Sequence, residues 1–173
     1  LAMHPALVGN PMAQVRLVAL IADACGSRGM TGGQSMDLAA EGSRLDPAEP
    51  EHSYRPKTGC LLRASVLAAA CCAEQVPDTT REALERFVDA LGLAFQVRDD
   101  ILDIEGTTAE TGKTGGSDLA KDKATYPHLF GMPRARQRAD ELLQQATGAL
   151  AAFGSEYDGL RWAARYIVLR QRT

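Results

Sequence analysis

TTREALERFVDALGLAFQVRDDILDIEG, residues 79–106, is the stretch on which the fold turns. Thr79-Thr80-Arg81-Glu82 reads as a capping box, a hydroxyl followed three residues on by a glutamate, so a helix is expected to open there. Phe95, Val97, Ile101, Leu102 and Ile104 give the run the look of a buried helix, and Gly106 reads as its stop. Three acids interrupt that pattern near the expected C-terminal end: Asp99, Asp100 and Asp103.

Side chains four apart on a helix are neighbours, with Cβ atoms roughly 6 Å apart, so Asp99 and Asp103 point the same way. Gln96 and Gly92 lie on the same stripe, and Asp100 sits one step to the side. Like charges at this spacing repel by a few tenths of a kcal/mol, and carboxylates near a helix C-terminus face its negative end. Glu105 adds to both penalties. A cation is one remedy. Mg²⁺ suits hard oxygen ligands, takes few carboxylates, and completes its shell with water and phosphate. D-D-x-x-D on a helix end therefore reads as a Mg²⁺–phosphate bridge. The alternative is a solvated acidic patch paired with Arg98.

Outward from this stretch the chain stays helical. Asn10-Pro11 supplies an N-cap and a first-turn proline for a helix to about Ala24, stopped by Gly26. GMTGGQSMDLAAEG (29–42) is helical, and Gly32 and Gly33 signal close packing against the backbone. Residues 43–56 carry Pro47, Pro50 and Pro56 and read mostly as loop. KTGCLLRASVLAAACCAE (57–74) is an apolar helix. A glycine- and threonine-rich loop spans 106–121. Pro133 opens a helix to about Phe153, and a last helix runs from about Gly159 to Arg172, with Trp162 and Tyr166 as packing residues. No strand pattern, repeat or linker appears, so the reading is one all-α domain over 1–173.

Composition sets limits. Hydrophobic residues are 45% of the 173, which marks a globular chain, while aromatics are only 5%, which favours closely packed helices. The formal net charge of -3 excludes general nucleic-acid binding. No apolar run approaches the roughly 20 residues of a membrane span. Cys25, Cys60, Cys71 and Cys72 have no ligand spacing and are expected as buried thiols of a reducing, cytoplasmic protein. His4, His52 and His128 are scattered and receive no role.

Lysines flank the acids in sequence. Lys113 stands in ETGKTGG, and Lys121 and Lys123 in LAKDKATYP; glycine-rich stretches with lysine can fold over phosphate. The P-loop pattern fails, because Thr107 stands where its glycine belongs and a helix precedes the loop. Lys57 and Thr58 open the apolar helix, where an anion can meet free N–H groups.

Together these pieces resemble the short-chain trans-prenyltransferases, the farnesyl or geranylgeranyl diphosphate synthase family of bacterial type. GMTGGQSMDLAAEG is similar to that family's glycine-glycine-glutamine helix, KTG at 57–59 to its diphosphate-contacting lysine and threonine, and FQVRDDILD at 95–103 to its second aspartate-rich motif. TGK at 111–113 and KATYP at 123–127 match the two lysines that follow. The resemblance implies a helical bundle of the isoprenoid synthase type, a homodimer, and Mg²⁺-dependent condensation of isopentenyl diphosphate with an allylic diphosphate. It implies Asp99, Asp100 and Asp103 as metal ligands, Asp99 foremost. Lys57, Lys113 and Lys123 would neutralise the leaving diphosphate. Thr58 and Gln96 would lie along the allylic tail, and Phe95 would line the cavity.

Two departures stand out. The family's first aspartate-rich motif and its arginine pair are not in this sequence, so a C-terminal part of a longer domain is expected. Pro50 and Pro56 fall where the family runs a helix into KTG, and proline inside a helix costs about 3 kcal/mol. Two alternatives remain: a non-catalytic helical partner of a complete prenyltransferase, and a terpene cyclase of the same fold.

Overall fold

A computed structural model describes residues 10–40, 59–73, 75–111 and 125–170 of the chain. Every regular element among them is helical: α1 (Pro11–Cys25), α2 (Met30–Ala40), α3 (Gly59–Cys72), α4 (Asp78–Thr111), α5 (Tyr126–Phe130), α6 (Met132–Ala149), a 3₁₀ turn (Ser155–Tyr157) and α7 (Asp158–Leu169). The 43–56 loop, most of the 106–121 loop, and Lys57, Thr58, Lys113, Lys121 and Lys123 lie outside the described residues.

α1 starts as its sequence demands. Asn10 Oδ1 accepts the Ala13 N–H at 3.0 Å, Pro11 fills the first turn, and Gly26 closes the helix. Such a cap is worth about 1 kcal/mol. Ala13, Leu17 and Ala24 turn inward, and Leu17 packs with Ala68 of α3. The turn into α2 explains its glycines. A Cβ on Gly32 would sit 1.8 Å from the Ser27 carbonyl oxygen, so the close backbone packing expected there is real.

α4 is the central post. Leu84, Phe87, Val88 and Leu91 pack against Ala146 and Leu150 near the end of α6 and Ala164 of α7. Ala94, Val97 and Ile101 meet Ala135, Ala139 and Leu142 of α6, with Tyr126 and Val168. The inward stripe of α6 reads Ala135, Ala139, Leu142, Ala146, at helical spacing and mostly small, so the two helices approach closely. Phe87, Ile101 and Leu142 are among the largest fully buried side chains, and each contributes about 1.5–3 kcal/mol by leaving water.

Both expected boundaries of α4 move. The helix begins at Asp78, and the Pro77 carbonyl accepts the Thr80 and Arg81 N–H groups at 3.0 Å. Thr79 is thus already inside the helix and caps nothing. At the far end the helix continues through Gly106 to Thr111. Glycine there costs about 1 kcal/mol relative to alanine, but Gly106 is buried and Glu105 is tied to Arg136 of α6 at 2.9 Å. Packing overrides the local stop signal.

Two glycines are required by geometry. Gly131, with φ 82° and ψ 153°, occupies a region open essentially to glycine and lets α6 begin directly after α5. Gly92 of α4 faces Gly59 of α3, whose Cα lies 3.0 Å from where a Cβ on Gly92 would be. The glycine of KTG is therefore pressed against the aspartate helix, two turns before Asp99.

Surface details correct two expectations. Cys25 and Cys72 are exposed, and Cys60 and Cys71 are half-buried, all as free thiols. Ala24 of α1 and Leu67 and Ala68 of α3 hold the inward positions, and the exposed pair falls beside that stripe. Trp162 and Tyr166 stack on each other at 5.3 Å but face outward, because Ala164 and Val168 take the buried side of α7. Among the described residues no helix is long and apolar enough to cross a membrane.

Candidate functional site

The site residues that can be placed all stand on α4. Phe95, Gln96, Asp99, Asp100 and Asp103 cover just over two turns, and burial differs sharply along them. Asp103 is exposed, Asp99 is half-exposed, and Asp100 is only 8% exposed.

The extension of α4 changes the electrostatics expected from sequence. Asp99 and Asp103 stand more than one turn from Thr111, and the dipole effect fades within the last turn of a helix. The negative helix end therefore weighs little on them. Their mutual repulsion remains, and Asp99 meets it with the Arg170 guanidinium, which donates through Nη2 to Asp99 Oδ1. The sequence pattern had suggested Arg98 as the partner. Arg98 instead donates from Nε and Nη2 to the Arg170 carbonyl, at 3.1 and 2.6 Å.

Asp100 has a second task. Its Oδ2 accepts the backbone N–H of Tyr126 at 2.8 Å, at the start of α5. Tyr126 is buried, and its ring lies 4.7 Å from that of Phe130. A buried carboxylate thus anchors the YP end of KATYP to the aspartate helix. This contact fixes the chain at Tyr126, three residues beyond Lys123 in sequence.

Buried polar atoms without a hydrogen-bond partner are costly, about 1–3 kcal/mol each. Among the described residues three side-chain atoms stand so: Gln96 Oε1, Thr125 Oγ1 and Arg170 Nε. All three belong to residues around the two adjacent aspartates. Gln96 is one turn before them, Thr125 precedes the amide bound by Asp100, and Arg170 pairs with Asp99.

Among the described residues no three acidic, histidine or cysteine side chains converge as a metal cluster. Asp99 and Asp103 alone share a face. That pair fits Mg²⁺, which is commonly held by one or two carboxylates with water and phosphate oxygens completing the shell. It would not suit zinc or another metal that needs a full protein cage.

Comparison with known proteins follows the same lines. Residues 2–156 match the polyprenyl synthetase family. The chain belongs to that family. It is 40% identical over 159 residues to the farnesyl diphosphate synthase of Haemophilus influenzae, covering 91% of this chain and 54% of that enzyme. Its fold is similar to a crystal structure of a farnesyl-diphosphate synthase homologue from Marinomonas sp. MED121, with TM-score 0.81 and 33% identity over 96% of this chain and 56% of that one. It is also similar to a geranyltransferase from Helicobacter pylori solved with magnesium and isoprenyl diphosphate, with TM-score 0.73 and 26% identity over 94% of this chain and 55% of that one. The fold is that of the isoprenoid synthases, and this polyprenyl synthetase chain spans about half the length of the relatives it matches.

Proposed function

We propose that this chain carries the second metal half-site of a prenyltransferase that joins isopentenyl diphosphate to an allylic diphosphate, head to tail. The observation that carries the reading is the group of unpartnered buried atoms, Gln96 Oε1, Thr125 Oγ1 and Arg170 Nε, gathered around Asp99 and Asp100 in a member of this family. Buried polar groups without partners among the described residues call for an explanation, and a polar ligand supplies one.

Asp99 and Asp103 would hold Mg²⁺, with Asp100 in support from its buried position. When bound, Mg²⁺ supplies positive charge to the diphosphate, whose negative charge grows as it leaves. Lys57, Lys113 and Lys123 would neutralise the same leaving group through ammonium ions. Gln96 and Thr58 would lie along the allylic chain, offering oxygens to the carbocation formed at its first carbon. Phe95 would line the cavity. The double bond of isopentenyl diphosphate then attacks the cation, and loss of a proton restores a neutral alkene. The close Gly59–Gly92 contact supports bringing the KTG segment to this stripe.

The whole is read as one domain over 1–173, the C-terminal part of a larger all-α unit acting as a cytoplasmic homodimer. The partial coverage of its relatives supports the first point, and family resemblance the others. The test is Mg²⁺-dependent binding and turnover of geranyl or dimethylallyl diphosphate with isopentenyl diphosphate by the purified chain. Asp99→Ala is expected to abolish Mg²⁺-dependent diphosphate binding while changing stability by less than about 1 kcal/mol, the worth of a half-exposed ion pair. Unchanged binding with strong destabilisation would make Asp99 a structural residue and end the reading. Binding without turnover would favour a non-catalytic partner of a complete enzyme.

A further inference from the structure

Arg170, at the C-cap of α7, reaches back across 71 residues to the aspartate helix. Its guanidinium pairs with Asp99 and lies over the Phe95 ring, 4.7 Å from the centroid. Its carbonyl is clamped by both Arg98 contacts, and its amide donates to the Tyr166 carbonyl at 3.0 Å. The end of α7 is thus tied to α4 twice, through its backbone carbonyl and through its charge.

We infer that Arg170 is a resident counter-ion of Asp99 that competes with a divalent cation for that carboxylate, so that metal binding and the docking of the α7 end are coupled. The inference rests on the proposed metal role of Asp99. Three observations carry it. The pair is half-exposed, with side-chain accessibilities of 30% and 42%, so it can open without exposing a core. Arg170 Nε is buried without a partner, so Asp99 leaves the guanidinium only partly satisfied. The Phe95 ring gives the guanidinium a second, weaker hold that does not need Asp99. A divalent ion on Asp99 repels a guanidinium at contact distance. The guanidinium then leaves Asp99, and the α7 end, which keeps only the Arg98 contacts and the Phe95 ring, docks more loosely on α4. Arg170 is a positioning residue: it holds the Asp99 carboxylate through the ion pair before metal arrives.

Trp162, the single tryptophan, stacks on Tyr166, whose carbonyl holds the Arg170 amide. Its fluorescence therefore reports on this helix end. The experiment titrates the 173-residue chain with Mn²⁺, an oxygen-seeking stand-in for Mg²⁺ whose free concentration is read by paramagnetic resonance. Arg170→Gln is expected to tighten Mn²⁺ binding about threefold to fivefold, the worth of releasing a half-exposed ion pair. Trp162 fluorescence in the unaltered chain should change on Mn²⁺ addition, and the change should vanish in Arg170→Gln. Unchanged or weaker Mn²⁺ binding by Arg170→Gln with intact helical dichroism overturns the inference. So does a Trp162 signal blind to Mn²⁺ in the unaltered chain, a measurement that needs no variant to fold. Asp99→Asn separates the two levels. If it abolishes Mn²⁺ binding while Arg170→Gln does nothing, only the competition fails. If Mn²⁺ binds equally well without the Asp99 charge, the metal reading falls and the inference with it.

Discussion

From Leu84 to Ala94, α4 is a packing helix, whereas from Phe95 to Glu105 the same helix mixes buried apolar positions with buried and half-buried polar ones. In the first part the buried positions are apolar, and the charged ones pair at the surface: Arg63 of α3 meets Glu85 and Asp89 at 3.2 and 2.9 Å. In the second part an amide oxygen is buried without a partner, a carboxylate is buried against a backbone N–H, and another is held by a distant arginine. One continuous helix thus obeys the rules of stability at one end and departs from them at the other. Such departures persist when something outside the fold rewards them.

The comparison can be broken most severely at Phe87, the largest wholly buried side chain of the packing part. Phe87→Ala should cost about 3–5 kcal/mol in urea unfolding. Metal binding by the fraction still folded should not change, since Phe95, Gln96 and the three aspartates are not members of that cluster. A loss of metal affinity in the folded fraction would join the two parts into one unit.

Next come the adjacent aspartates, which sharpen the contrast within two residues. Asp100→Ala removes the buried hydrogen bond from the Tyr126 N–H and should cost about 1–3 kcal/mol, well above the Asp99→Ala effect. Equal costs measured by thermal or urea unfolding would remove the division of labour between them.

Gly92→Ala sits at the seam. The added methyl would press on Gly59 Cα at 3.0 Å, backbone against backbone, and overpacking of this kind costs roughly 1–3 kcal/mol. The variant should also weaken diphosphate binding, because Gly59 belongs to KTG. Calorimetry with inorganic pyrophosphate and Mg²⁺ checks this, and full affinity in the variant would detach KTG from the site.

The smallest effect belongs to the far surface of α6. Arg134 and Arg138 both donate to Glu141, at 2.8 and 3.3 Å. The Arg134 hydrogen bond, with help from Arg138, holds the Glu141 carboxyl below the usual glutamate range. A lowered carboxyl stabilises the fold above its unfolded pKa, and that contribution fades as pH falls through the folded value. Glu141→Gln should therefore lower the neutral plateau slightly and leave stability at low pH, where Glu141 is protonated, unmoved, so that the acid side of the curve flattens. A large change at neutral pH would contradict a surface pair.

Much of this was legible from residue order. Asn10-Pro11 and Gly26 bound α1 as their chemistry requires, and the placement of Asp99 and Asp103 on one face follows from helical periodicity alone. The all-α class needed no coordinates.

Other features came from contacts between segments far apart in the chain. Gly106 signals a stop, yet burial and the Glu105–Arg136 bond carry the helix past it. Thr79 has the look of a cap and falls inside the helix. Local propensity is worth about 1 kcal/mol per residue, which the burial of one large side chain matches or exceeds. For the same reason, D-D-x-x-D by itself treats Asp99 and Asp100 as near equals. Only folding separates them, by bringing Tyr126 to one and Arg170 to the other across 26 and 71 residues. Sequence determines which groups can carry charge and which face they share; their partners depend on packing between remote helices, and that the tertiary structure alone decided.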